Sequence, residues 1–220
     1  AEMTFATDVL NPDGRVVQQP STHLINQDFA KAFDIKFVDK SEKERFVWTT
    51  CYGPAISRIF ASIISVHGDN KGLKFPWKIA PLQVIIVPIG NDKKVLKFAD
   101  KLRLSLLDLN VSAKIDSSDK SPGEKFYFWE MKGVPIRLEV GKKELEKNDL
   151  TVYRRDLDKK SVIKCKDLGD YIFKASKDID NNLSKHADKL FEGNIVNVSG
   201  IKDLKRVIDS GKIARCGFCS

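Results

Sequence analysis

The sequence predicts a mixed α/β chain in two parts, and three observations point that way. Near-continuous apolar runs such as "LQVIIVPIG" alternate in the second part with segments of helical spacing, the pattern of a sheet with crossover helices. In the first part, stretches rich in β-branched and aromatic residues are divided by turn residues, which suits short strands. Between them lies "DNKGLKFPWKIAP", whose Gly72, Pro76 and Pro81 give it the composition of a linker.

From the N-terminus, Asn11-Pro12-Asp13-Gly14 is a turn signal between two extended stretches. "NQDFAKAFDIKFV" reads as a short helix running into a strand, and "RFVWTTCY" as one strand. A helix is expected from about Ile56 to Val66, with its apolar residues buried and Asp69 capping or pairing locally just beyond it. After the linker, 82–90 is a strand covered on both faces. Apolar residues at 95, 98, 99, 102, 106 and 109 give the next segment a helical face. "VSAKID" is a strand, and "SPGEKFYFWEMKG" is a helix behind a Ser-Pro-Gly break. "VPIRLEVG" and "LTVYRRD" are strands joined by "KKELEKND", whose bland reading is a solvated charged turn. A long amphipathic helix over roughly 167–191 leads to "NIVNV", a last helix in "IKDLKRVIDSG", and the pair "CGFC".

The 220 residues, 42% of them hydrophobic and 31% charged, can bury real cores. No apolar run approaches the ~20 residues of a membrane span, and no basic-then-apolar leader stands at Ala1. A soluble, cytoplasmic protein without membrane partners is therefore expected. The net charge of +8 is unevenly placed: residues 1–80 hold 10 Lys+Arg against 9 Asp+Glu, residues 81–220 hold 28 against 21. Such an excess fits a surface that meets a polyanion such as RNA, and also a merely solvated lysine-rich face. Cys216 and Cys219 suggest metal or redox chemistry over a structural disulfide, the bland reading being two free thiols. Cys51 and Cys165 are expected as buried small hydrophobes. Arg58, at the mouth of an apolar helix, is either a solvated first-turn arginine or a fixed ligand.

Three stretches resemble the prolyl-tRNA synthetase family of the archaeal and eukaryotic-like type. "QQPSTHLINQDFAKAFDIKF" is similar to the family's late catalytic segment. "GPAISRIFASIISVHGDNKGLKFPWKIAPLQVIIVPI" is similar to the third class II signature running into an anticodon-binding domain, and "SPGEKFYFWEMKGVPIRLEVGKKELEKNDLTVYRRD" to its anticodon-reading core. "GVPIRLEVG" has counterparts in other synthetases, whereas the His-containing segment is particular to the proline enzymes. The resemblance implies the C-terminal part of a class II antiparallel-sheet catalytic domain over 1–76, then an α/β anticodon-binding domain with a mixed sheet over 77–165. The start of a small zinc-binding-like module follows over 166–220. The upstream class II signatures have no counterpart here, so the resemblance implies a partial chain, inactive alone, of an enzyme that is a homodimer at full length.

The same resemblance assigns roles. Arg58 would bind ATP, which suits a planar guanidinium of permanent charge. Gln18 would contact ATP and magnesium, Ser21 ATP, and His23 would line the proline site. Ser21 departs from the commoner threonine but keeps the hydroxyl, and Asn26 stands where glycine is usual. Glu130, Arg137, Lys143 and Glu144 match base-reading positions, Glu144 replacing the usual aspartate. Cys216 and Cys219 would make half of a zinc site. The implied reaction joins L-proline to tRNA(Pro) through prolyl-adenylate, with ATP. Two other readings stay open, a non-catalytic RNA-binding module and another class II synthetase such as the threonine or glycine enzyme.

Overall fold

A computed structural model describes residues 1–217 as two compact units, one of residues 1–66 with 205–212 and one of residues 67–204 with the chain from 213 onward. In the first unit, β1 (Met3–Leu10) and β2 (Val16–Asn26) form an antiparallel hairpin closed by the Asn-Pro-Asp-Gly turn. α1 (Asp28–Ala32) leads into β3 (Lys36–Val38), which pairs with β4 (Glu44–Phe46). β5 (Thr49–Gly53) returns to the other edge of β2, giving the order β1-β2-β5, and α2 (Ile56–His67) follows. The single strand expected over 45–52 is thus two strands in different sheets. A run of β-branched and aromatic residues offers no turn signal at which to divide it.

The core of this unit is small. Leu10, Ala30 and Val66 are buried, beside a buried bond from Gln19 to Ser62. The expectation of a buried α2 is not met: Ser62 and Val66 are its buried residues, while Ile56 is 74% exposed and Phe60 48%. Helical periodicity identifies the apolar stripe but not what lies against it.

In the second unit the order is β6 (Val84–Pro88), α3 (Lys93–Asp108), β7 (Ala113–Ile115), α4 (Pro122–Met131), β8 (Ile136–Val140) and α5 (Lys142–Lys147). Then come β9 (Asp149–Arg154), β10 (Lys159–Lys164), α6 (Leu168–Gly193) and β11 (Ile195–Asn197). α7 (Ile201–Asp209), whose residues from 205 belong to the first unit, precedes β12 (Ile213–Arg215), which pairs in parallel with β11. The main sheet runs β10-β9-β8-β6-β7 and is mixed, with β6 parallel to β7 and β8, and β9 antiparallel to both neighbours. α4 starts on a capping box between Ser121 and Glu124 with Pro122 at its first position, which explains why the Ser-Pro-Gly break opens a helix.

Alternation along the strands divides the unit's interior. Val84, Ile86, Ile136, Leu138, Leu150 and Val152 join α3 and α6 in the main core. Ile85 and Val87 face the other way, onto Val134, Phe126 and Trp129 beside α4. The same alternation puts Arg137, Glu139, Thr151 and Tyr153 on the α4 side of the sheet.

The stretch read as a linker is docked on this unit. Arg155, 1% exposed, grips both carboxylate oxygens of Asp69 and donates to the carbonyl of Gly72 at 3.1 Å. Lys71 pairs with Asp158, and Lys74 with Asp69 at 2.9 Å. Asp69 also accepts from the backbone of Lys71, the local bond expected of it, but its principal partner is 86 positions away. Two glycines permit the close approach. A Cβ on Gly72 would lie 2.4 Å from the Cα of Met131, and one on Gly133 would lie 2.6 Å from the Cβ of Leu73.

Candidate functional site

β2 holds three of the predicted site residues. On a regular strand Gln18 would face away from Ser21 and His23. Instead, Gln19 and Pro20 together oppose Thr7, so β2 carries one extra residue there. The cross-strand partners of Gln18, Ser21 and His23 are Asp8, Ala6 and Thr4, alternate residues of β1 that share a face. The bulge therefore gathers the three side chains on one side of the sheet and turns Gln19 to the other, where its amide donates to Ser62 at 2.9 Å.

His23 is held at both ring nitrogens. Thr4 Oγ1 lies 2.9 Å from Nδ1, and Ser21 Oγ lies 3.0 Å from Nε2. β5 runs alongside, with Gly53 opposite Ser21 and Cys51 opposite His23. Arg58 follows in the first turn of α2, where its backbone N–H donates to Ala55. Its side chain is exposed and makes no hydrogen bond or ion pair among the described residues. Asn26 has φ +72°, the left-handed conformation that glycine adopts freely and asparagine tolerates, so the departure from glycine keeps the backbone shape.

In the second unit, the open side of the sheet beside α4 carries a cleft of about 330 Å³ lined by Lys71, Phe126, Tyr127, Glu130, Arg137, Tyr153, Asp158 and Lys160. Arg137 forms its floor. The guanidinium lies between the rings of Phe126 and Tyr153, 4.0 and 4.2 Å from their centroids, and is 3% exposed. Nη1 donates to Glu130 at 2.7 Å, while Nε and Nη2 donate to Glu139 at 3.1 and 3.0 Å. Lys160 closes the chain on the other oxygen of Glu139 at 2.7 Å. Two cations and two carboxylates thus balance, as buried charges must. Tyr153 donates to Asp158 and is pushed above the usual phenol range, chiefly by burial and then by that bond.

Glu130 and Arg137, both singled out from sequence, are therefore in direct contact. Glu144 is engaged otherwise: one oxygen accepts from the Gly141 backbone at 3.0 Å, capping α5, and the other accepts from Thr151 at 3.1 Å. Through Thr151 it stands on the face of the sheet that holds Arg137. Lys143, beside it, is exposed. Other lysines lie over rings of α4, Lys120 and Lys132 at 5.2 and 5.7 Å from Phe128 and Lys114 at 6.0 Å from Trp129.

Sequence reasoning missed Glu139, Phe126, Tyr153 and Lys160. Glu139 had a readable signal, since it lies two residues after Arg137 in a strand and must share its face. Lys160 had none, because in "KKSVIK" only Ile163 turns inward and one residue makes no period to read.

One cysteine needs correction. Cys51 is exposed on β5 and is not the buried hydrophobe expected, because an open sheet face leaves its residues in water, whereas Cys165, half-buried in the 3-10 turn before α6, packs against the main core. Cys216 is exposed, and Cys219 lies outside the described residues. Among the described residues no group of three or more His, Cys, Asp or Glu could hold a metal ion. No helix among them is long and apolar enough to cross a membrane.

Residues 83–175 match the family described as an anticodon binding domain. The whole chain is 43% identical to the proline–tRNA ligase of Thermofilum pendens, covering 46% of that protein. It is 37% identical to that of Methanopyrus kandleri, covering 45%, and, over 94% of its length, 40% identical to that of Natranaerobius thermophilus, covering 43%. The chain thus spans less than half the length of the curated relatives it matches.

Proposed function

We propose that this chain is a C-terminal portion of a proline–tRNA ligase, holding part of the catalytic site in its first unit and the anticodon-reading surface in its second. The observation that carries the reading is the pairing of two sites in one chain. One is a strand face in the first unit that gathers Gln18, Ser21 and His23, with Arg58 in the same unit at the start of α2; the other is an anticodon-binding sheet with a charged aromatic cleft.

In the first unit, His23 lines the proline site, its ring oriented by Thr4 and Ser21. Ser21 and Arg58 would bind ATP, and Gln18, whose amide offers an oxygen ligand, would contact ATP and hold a magnesium ion that neutralises phosphate charge. The proline carboxylate attacks the α-phosphate and releases pyrophosphate, giving prolyl-adenylate; a ribose hydroxyl at the tRNA 3′ end then attacks its carbonyl carbon and releases AMP. Such a reaction asks little acid–base chemistry of the protein. It asks for carboxylate and phosphate to be held in line while a cation meets the developing charge, the role of Arg58. In the second unit, Glu130 accepts from guanine N1 and N2, and Arg137 and Lys143 donate to O6 and N7. Proline anticodons share two guanines, and their loop presents unstacked bases.

The test is amino-acid-dependent ATP–pyrophosphate exchange by the full-length protein, followed by charging of tRNA. Exchange that depends on proline, and not on threonine or glycine, is expected. Exchange driven by another amino acid, or none at all, removes the assignment.

A further inference from the structure

We propose that Glu139 is the positioning residue of the Arg137 cleft and that, steadied by Lys160, it fixes which edge of a base the guanidinium can meet. The proposal rests on reading the cleft as a site for an unstacked RNA base, and goes beyond it by assigning the device that makes the site selective. A guanidinium has five N–H donors. Three are used here: Nε and Nη2 on one oxygen of Glu139, and Nη1 on Glu130. One N–H remains on each Nη.

Rotation and tilt are both blocked. Phe126 and Tyr153 cover the two faces of the guanidinium, and Lys160 holds the free oxygen of Glu139, so the carboxylate cannot swing away. What Arg137 can offer a ligand is the two donors left on Nη1 and Nη2. A base edge with two adjacent acceptors, O6 and N7 of guanine, can take both. Adenine offers N7 beside an amino group, which sets donor against donor. The ligand class is therefore an unpaired guanine met on its major-groove edge. Loss of Glu139 would free the Nε side of the guanidinium and let it turn, so selectivity would fall more than adhesion to RNA.

Fluorescence anisotropy with a labelled RNA stem–loop tests this on the 220-residue chain. The loop carries the two shared guanines of proline anticodons, and companion loops replace each guanine by adenine. The wild-type chain is expected to prefer guanine at one position by about tenfold or more, the discrimination typical of a bidentate base contact. Glu139→Ala should erase that preference while binding of the adenine loop holds. Glu139→Gln, whose amide oxygen can still accept from Nε and Nη2, should restore part of it, and Lys160→Ala should fall between. A merely structural role would weaken all loops together. Full discrimination by Glu139→Ala, with Arg137→Ala having lost it, overturns the role of Glu139. Full discrimination by Arg137→Ala overturns the base-reading cleft itself, and the proposal with it. If thermal melting shows Glu139→Ala unfolded, Glu139→Gln decides by the same criterion, since undiminished discrimination in it alongside failure of Arg137→Ala rejects the positioning role.

Discussion

Arg58 stands exposed at the start of α2 with no ion pair among the described residues, whereas Arg137 is stacked between two rings and tied to two carboxylates. The same side chain is prepared in one unit and left free in the other. A long side chain that orders only on binding gives up as much as about 2 kcal/mol of rotamer freedom. Arg58 has its backbone fixed by the first turn of a helix, but its terminus waits for a ligand. Arg137 has paid that cost on folding. Binding energy in the first unit therefore goes partly into ordering the site, and in the second it goes into discrimination.

Removing Arg155 is the severest test of the second unit's rigidity. Arg155→Ala takes the buried guanidinium from Asp69, which keeps Lys74, and from the carbonyl of Gly72, and should cost about 3 kcal/mol by urea unfolding, the upper end for hydrogen bonds to a charged group. Stability equal to wild type would show that this unit is not locked, and the contrast would dissolve. Arg58→Ala sharpens the other side. In the full-length protein it should slow proline activation by about 2–4 kcal/mol, as lost electrostatic stabilisers do. Because the side chain is exposed, its unfolding free energy should move by no more than about 0.5 kcal/mol.

Arg137→Ala should differ on both counts. Charging of tRNA, normalised to proline activation, should weaken by about 1–3 kcal/mol. Melting should also drop, since Glu130 and Glu139 lose their shared cation. If charging of wild-type and anticodon-mutated tRNA fell equally, base reading would be withdrawn from Arg137. Acid titration gives a subtler signal. The hydrogen bond from Arg155 holds Asp69 well below the ordinary carboxylate value of 3.8. A depressed folded pKa stabilises fully above that value and is lost as the pH falls below it. Asp69→Asn should therefore flatten the acid limb of the stability curve below about pH 4. Asn26→Gly should be the mildest change, within about 0.5 kcal/mol, because φ +72° suits glycine at least as well as asparagine.

Legibility in the sequence followed burial. Strand 84–88 and helix 93–108 announced themselves because each packs an apolar face, and both match their expected places. β10 was missed because five of its six residues are exposed and four are lysine or valine in no burial pattern. α5 read as a turn because six charged or long residues give little period to follow. The bulge that gathers Gln18 with Ser21 and His23 depends on the facing strand, so no local pattern could reveal it. Glu130 and Arg137 were identified by resemblance alone. Their shared cleft needed α4 to be packed across β8, a tertiary fact.

The close passage of Gly72 against Met131 has a practical meaning for anyone dividing this chain. A stretch pinned by both its backbone and its side chains cannot be shortened, lengthened or cut as a tether can. The matched anticodon-binding region begins at residue 83, yet a fragment that begins there leaves behind Asp69 and Gly72, two of the three partners that occupy the buried Arg155. It also ends at 175, short of Asp180, which accepts from the Trp77 backbone, and of Asn182, which donates to Asp156. The smallest piece that keeps its own interior satisfied starts at His67, and limited proteolysis should spare the stretch from 69 to 75 for as long as that unit stays folded.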